Sequence, residues 1–372
     1  PLTYPAETKT IIRSGSAEVN WNLNIRDITS FAHTRSLAFN SSYRIADGDS
    51  YDNVPSSFSV REKFWIRDEI PPEILGLRKT LTQSDTVRLS GRWNPLEQVY
   101  LPGRISAFKT LYSNITYSRS DEFADTTGTQ RRSFTLNWPD MLFTLSEVEK
   151  ILFVEKYAAD TSVNYKTSLR HSETIAQNSS ENLNYGLELR SLLFRKYDVS
   201  GNYSESSTEE LDLRSAATTL RTKLSRSNAS GVQVGFNLGK WRMTARYDES
   251  NQYTWDGFNK LTSDSQTKTP SISAYWDYLS PGGLKIPVIG RTLPLTNRFT
   301  FTTNLNLTQS RSSVNYERGN TDSYNFSFTG DYEASSNFRV AVGGGFNYFK
   351  NTVLSYEDYY SININSRLTI QF

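Results

Sequence analysis

The chain has 372 residues, no cysteine, two histidines and 41 basic against 39 acidic side chains, for a formal net charge of +2. That balance excludes a global electrostatic pull toward nucleic acid, and the missing cysteine excludes disulfides and thiol chemistry. Hydrophobic residues make up 37%, below the roughly 45 to 50% of ordinary globular chains, while aromatics reach 13%; a disordered chain would be poor in both.

No run approaches the 18 or so consecutive apolar residues of a transmembrane helix, so any membrane crossing must be made by strands. Pro1 opens the sequence without an initiating Met, which reads as a processed chain or a piece of a longer one. From Ala17 the pattern has period two: Val19, Trp21, Leu23 and Ile25 alternate with Asn20, Asn22, Asn24 and Arg26, and Leu37, Phe39, Tyr43 and Ile45 follow. The stretch 46–57 reads as a polar loop before a strand at Phe58, Val60, Phe64 and Ile66. Its Asp47, Asp49 and Asp52 suggest calcium, but Tyr51 and Asp52 fall where the helix-loop-helix motif needs an oxygen ligand and a Gly.

Residues 67–84, with Pro71 and Pro72, read as a connection, after which Val87, Leu89, Gly91 and Trp93 restore the rhythm. Leu111, Ile115 and Tyr117 precede a charged loop from Arg119 to Arg132, and Phe134, Leu136 and Trp138 precede one short helix near 144–156, with Ser146 as its N-cap. Further strands are expected at 163–169, 183–191, 197–203, 214–224, 232–238, 241–247, 272–278, 299–307 and 324–332, with Gly239 and Lys240 as a two-residue hairpin turn. A faint repeat with an offset of 138 residues lays Trp138 over Trp276, Val163 over Phe301 and Leu169 over Leu307. Seven strand steps then separate 163 from 299, which would set equivalent strands in opposite directions.

In the last thirty-five residues Val340, Val342, Phe346 and Tyr348, then Ile362, Ile364, Leu368, Ile370 and Phe372, form the apolar rows. Periodicity alone fits a soluble sandwich or a membrane barrel. Segments of about ten residues, long enough to cross a bilayer when tilted, and an ending on an in-phase aromatic favour the barrel. The expected fold is therefore all-β: a transmembrane antiparallel β-barrel of about 16 strands (14–18), a single domain over 1–372, in the bacterial outer membrane.

In that fold Leu368, Ile370 and Phe372 are the terminal-strand signal read by the barrel-assembly machinery. Trp21, Trp93, Trp241, Trp276 and Tyr348 are girdle residues against outer-membrane lipid, and Arg339, Asn347, Asn363, Asn365 and Arg367 face the lumen, where converging arginines would favour anions. With Phe372 at the periplasmic end, the turn at 333–337 is periplasmic and the loops at 308–323 and 350–358 lie outside, while 279–298 makes an unusually long inner turn.

For catalysis only His33 and His171 are present, and no G-x-S-x-G accompanies them. The glycines of 342–346 lack the Lys-Ser/Thr and following helix of a phosphate loop; Gly343 and Gly345 instead clear the wet face for a neighbouring strand, plug or helix. No cofactor, metal, nucleic acid or enzymatic activity is expected, and the alternatives are a barrel hydrolase using His171 and a soluble adhesin-like β-protein.

From Asn137 onward, NWPDMLFTL, KIPVIGRTLPLTNRFTFTTNLNLTQSRSSVNY, SFTGDYEASSNFRVAVGGGFNYFKN and ININSRLTIQF resemble the C-terminal barrel portion of the SprA-type translocons of type 9 secretion and gliding motility. The resemblance implies a very large outer-membrane barrel for folded proteins, closed by plug or secretion-system subunits. This chain is far shorter, so it is expected to be the C-terminal part of a larger barrel, a small relative of that family, or an unrelated porin, a generic Gram-negative outer-membrane barrel.

Overall fold

The computed structural model describes residues 8–24, 37–55, 77–97, 99–126, 129–214, 220–279, 284–285, 292–293, 298–335 and 338–370. They form β1 (Thr8–Asn24), β2 (Ala38–Pro55), β3 (Arg78–Trp93), β4 (Tyr112–Thr126), β5 (Thr129–Ser146), β6 (Ala158–Thr174), β7 (Asn178–Leu193), β8 (Tyr197–Asp212) and β9 (Leu220–Leu238). Next come β10 (Trp241–Asp256), β11 (Leu261–Tyr278), β12 (Leu284–Lys285), β13 (Thr292–Leu293), β14 (Phe299–Arg311), β15 (Thr321–Ser335), β16 (Phe338–Asn351) and β17 (Tyr359–Ile370). Fifteen of these make one sheet in strict chain order, and β12 and β13 pair separately. The pairings described are antiparallel. The expected all-β fold of about 16 strands is borne out.

The strands of the large sheet run from 12 to 19 residues, longer than the apolar rows alone foretell. Ladder bonds join backbone to backbone, so pairing continues through polar residues once two strands are in register. This corrects several expectations. Asp47, Asp49 and Asp52 sit within β2, opposite Gly15, Arg13 and their neighbours on β1, rather than in a loop. The charged stretch 119–132 is mostly strand, with Thr126 opposite Thr129. Residues 78–84 belong to β3. The strand expected at 58–66 and the terminal Phe372 lie outside the described residues.

The helix expected near 144–156 is a single turn, Val148–Ile151, because β5 continues through Ser146 and Glu147 takes a left-handed conformation (φ 57°). The strands expected at 214–224 and 232–238 merge into β9, whose described part begins at Leu220. Six steps therefore separate β6 from β14, and the two repeat-equivalent strands run in the same direction. The hairpin at Gly239 and Lys240 is as expected, with Gly239 at φ +62°.

The chain divides into two compact units. The first holds Pro1–Leu145, Tyr165–Tyr185 and Ser206–Leu224. Its register puts Val19, Trp21, Leu23, Phe39, Leu89 and Trp93 on one face, all of them exposed. Further along β1 and β2, Tyr51 and Val54 are fully buried with Ile11 and Leu77 against them, the one buried apolar cluster among the described residues. Beside it Arg13 donates to Asp49 from Nε and Nη2, at 2.9 and 2.6 Å.

The second unit holds Ser146–Asn164, Gly186–Glu205 and Ser225–Phe372. Its register aligns Trp241 with Trp276, then Phe301, Gly330 and Val342 on one face. The same face carries Ile272, Leu305, Phe326, Phe346 and Ile362 in neighbouring rows, each exposed. Glycines in these rows are covered by aromatics: a Cβ at Gly344 would come within 2.9 Å of the Phe328 ring. On β15 the row runs from Tyr324 to Tyr332, eight residues or about 27 Å of strand, and a tilt of about 40° turns that into a band roughly 20 Å tall.

Candidate functional site

The opposite face of each unit is polar and knitted by short hydrogen bonds. In the first unit Thr86 pairs with Ser120 at 3.1 Å, Asn137 Nδ2 donates to Ser118 at 2.8 Å, and Thr135 meets Ser172 at 3.3 Å. In the second unit Asn347 Nδ2 donates to Ser361 at 3.3 Å. Arg339, Asn347, Asn363, Asn365 and Arg367 share this face, as expected of one wet row, with Arg367 opposite Ala341 and Arg339 opposite Thr369. Gly343 and Gly345 clear space there for the neighbouring strand, β17. The Asn365 and Asn363 side chains occupy it, lying 2.6 and 2.8 Å from where the missing Cβ atoms would be.

Charge on the polar face largely cancels in place. Residues i and i+2 of a strand point the same way, so Arg246 binds Asp248 at 2.5 Å and Arg190 binds Glu188 at 2.9 Å. Arg339 donates to Asp331 at 2.7 Å and lies 3.8 Å from Glu333, so it is not the free cation its wet-row position suggested. Such exposed pairs are worth about 0 to 1 kcal/mol each. Their consequence is a wall without strong net charge. Arg298 binds Asp277 through two hydrogen bonds of 3.1 and 2.8 Å, but here Arg242 also acts on the same carboxylate, and all three line a cavity of about 730 Å³.

The girdle candidates lie on the apolar face, Trp21 and Trp93 near the ends of β1 and β3, Trp241 at the start of β10 and Trp276 near the end of β11. Trp241 and Trp276 stack with ring centres 5.3 Å apart, and Tyr348 stacks on Tyr324 at 5.8 Å. Leu368 and Ile370 continue the apolar row opposite Val340 and Phe338.

His171 shares the face of Phe134, their ring centres 5.4 Å apart, and its Nε2 is 3.6 Å from Glu173. The adjacent Ser172 points the other way, to Thr135, so no Ser-His pair forms. Among the described residues no group of three or more His, Asp or Glu is arranged to hold a metal, and Asp49 is engaged by Arg13.

Sequence reading missed the order in the second unit's loops, whose contacts join residues far apart in the chain. Asp264 accepts hydrogen bonds from the Ser312 and Ser313 hydroxyls at 2.7 and 2.8 Å and from the Ser313 and Val314 amides at 2.7 and 2.9 Å. Asn351, 1% exposed, accepts from the Val353 and Leu354 amides and donates to the Glu317 carbonyl, and Thr352 donates twice to the Asn320 carbonyl. A composition rich in Asn, Asp and Ser was the only signal for this.

Asp264 lies on the part of β11 that projects past the last apolar residues of its row, Pro270 and Ile272. Partial desolvation raises its carboxyl pKa, but the four donors outweigh it and hold the group well below the usual carboxylate range. A carboxyl depressed in the folded state stabilises above its unfolded value of about 3.9 and loses that contribution only as pH falls through the folded value. The loop at 312–320 is therefore expected to stay closed at neutral and mildly acid pH. Asp264→Ala should raise limited proteolysis of this loop about tenfold, the effect of losing charge-assisted hydrogen bonds; an unchanged cleavage rate would refute the clamp.

No protein-family model and no curated protein matches the chain. Among solved structures it is similar to the copper transporter OprC, at 8% identity over 94% of this chain and 63% of that one, with a TM-score of 0.33. It is also similar to the ferric citrate transporter FecA in the unliganded form, at 10% identity over 98% of this chain and 56% of that one, TM-score 0.37. A third is OccAB3 of Acinetobacter baumannii, at 11% identity over 97% and 98%, TM-score 0.29. The chain thus spans less than two thirds of OprC and of FecA.

Proposed function

We propose that the chain is the wall of an outer-membrane β-barrel that forms a pore, a channel or part of a protein translocon, with its polar face toward the lumen. One observation carries this reading: the apolar rows of a fifteen-stranded antiparallel sheet are exposed where a water-soluble fold would bury them. Each large apolar side chain gains roughly 1.5 to 3 kcal/mol on leaving water, and lipid supplies that environment. The polar face, many of its charges paired and rich in Asn, Ser and Thr, suits water.

The reading carries its partners with it. Outer-membrane lipid solvates the apolar rows, Trp21, Trp93, Trp241, Trp276 and Tyr348 mark its boundaries, and the barrel-assembly machinery engages the row of Leu368 and Ile370. The resemblance to SprA-type translocons supports the finer reading of this chain as the C-terminal part of a larger barrel with plug or secretion-system subunits. Catalysis is not part of the proposal, because Ser172, the hydroxyl next to His171 in the chain, is turned to Thr135 on the other face.

Reconstitution into planar bilayers tests it. Stepwise conductance with little preference between potassium and chloride is expected, because the wall's ion pairs cancel. His171→Ala should leave both conductance and any hydrolysis of phospholipid or peptide unchanged. Absence of conductance would reject the pore, and hydrolysis lost with His171 would favour the enzyme.

A further inference from the structure

We propose that Arg242 and Arg298 form a binding site for small oxyanions of the phosphate class at the end of the polar face where β10 begins and β11 finishes. The site belongs wholly to the second unit. Its cavity, about 730 Å³, is lined by Lys240, Arg242 and Arg298 together with Asn237, Tyr275 and Asp277. Among the described lining residues the two guanidinium groups of Arg242 and Arg298 face one carboxylate, Asp277, and leave a net positive charge, whereas Arg190, Arg246 and Arg339 are each matched by carboxylates.

The geometry makes that excess usable. Asp277 is occupied by Arg298, which fixes the guanidinium fork in place and leaves the carboxylate little further charge to offer. Arg242 stands directly opposite Tyr275 in the β10–β11 register. Lys240, on the hairpin turn, holds its ammonium 4.6 Å from the centre of the Tyr278 ring, on the face of Trp276, so the two arginines carry the charge on the polar side. Asn237 and Tyr275 add neutral donors, and Trp241 and Leu279 give the cavity an apolar flank that strengthens charge-assisted hydrogen bonds nearby. Guanidinium groups bind the oxygens of phosphate in pairs, which favours this class over halides. Free phosphates and phospholipid headgroups share that chemistry.

The test is titration of the detergent-solubilised protein with inorganic pyrophosphate, read by tryptophan fluorescence, since Trp241 lines the cavity. A saturable change is expected, weakened about tenfold by Arg242→Ala, the loss of one charge-assisted hydrogen bond at a partly exposed site. Asp277→Asn should tighten binding, and it keeps the test decisive if Arg242→Ala fails to fold. Lys79→Ala, in the other unit, should change nothing. A parallel titration with short-chain phosphatidic acid distinguishes the sources: pyrophosphate binding supports a free anion, and a response to the lipid alone, still sensitive to Arg242, supports a headgroup. A response that does not saturate, or that is the same in Arg242→Ala and Asp277→Asn as in the parent, overturns the site. Because no current is measured, this failure is distinct from failure of the pore.

Discussion

Arginine in place of Leu305 should cost about 2 to 4 kcal/mol of folding stability in phosphatidylcholine vesicles, whereas arginine at the neighbouring Asn304 should stay within about 1 kcal/mol. The two residues are adjacent on β14 and both exposed, so burial and strand position are nearly matched between them. They differ in face. Leu305 aligns with Ile272 on β11 and Phe326 on β15, in the middle of the apolar band, while Asn304 aligns with Ser273 and Ser327.

If lipid covers the first face, a guanidinium there must be desolvated or dragged to the interface. If water covers both, neither substitution should exceed the small effects of ordinary surface changes. Urea unfolding followed by tryptophan emission, in vesicles, makes the comparison. Equal and small costs would end the membrane reading and favour a soluble β-protein.

Unboiled protein extracted in detergent should run ahead of boiled protein on a gel only when a strand beyond the fifteen described here completes the barrel. Neighbouring strands alternate in direction, and the order runs unbroken from β1 to β17. The first and fifteenth strands therefore run in the same sense, and no antiparallel ladder can join them. β17 meanwhile pairs only with β16 among the described residues, and nearly all of its residues are exposed. A bare edge of twelve residues would be a liability in water and an impossibility in hydrocarbon, where every backbone donor must be satisfied.

The expected results divide accordingly. A fast, compact band that boiling abolishes would mean that this chain supplies the closing strand itself. Membrane-bound protein with no such shift would mean that the strand comes from outside it, as the resemblance to a larger translocon implies. Protein found in the soluble fraction would contradict both.

Much of this molecule could be read from one period. Val340, Val342, Phe346 and Tyr348 on one row and Arg339, Asn347, Asn363, Asn365 and Arg367 on the other needed only the two-residue alternation of a strand, because a side chain's face follows from its parity alone. The same alternation determined that the fold is all-β and that each strand has an oily and a wet side. It failed where pairing outruns polarity. Asp47 to Asp52 and Arg119 to Arg132 look like loops by composition, yet the backbone ladder continues through them, and the two halves of β9 look like separate strands because polar residues interrupt the apolar row.

Only the tertiary structure decided which charges meet. Asp277 and Arg298 are 21 residues apart, Asp264 reaches Ser312 across 48, and Arg339 is neutralised by Asp331 on the preceding strand. The alternation assigns a side chain to a face without saying which residue of the next strand lies beside it. That depends on register, and register is set by pairing across the sheet.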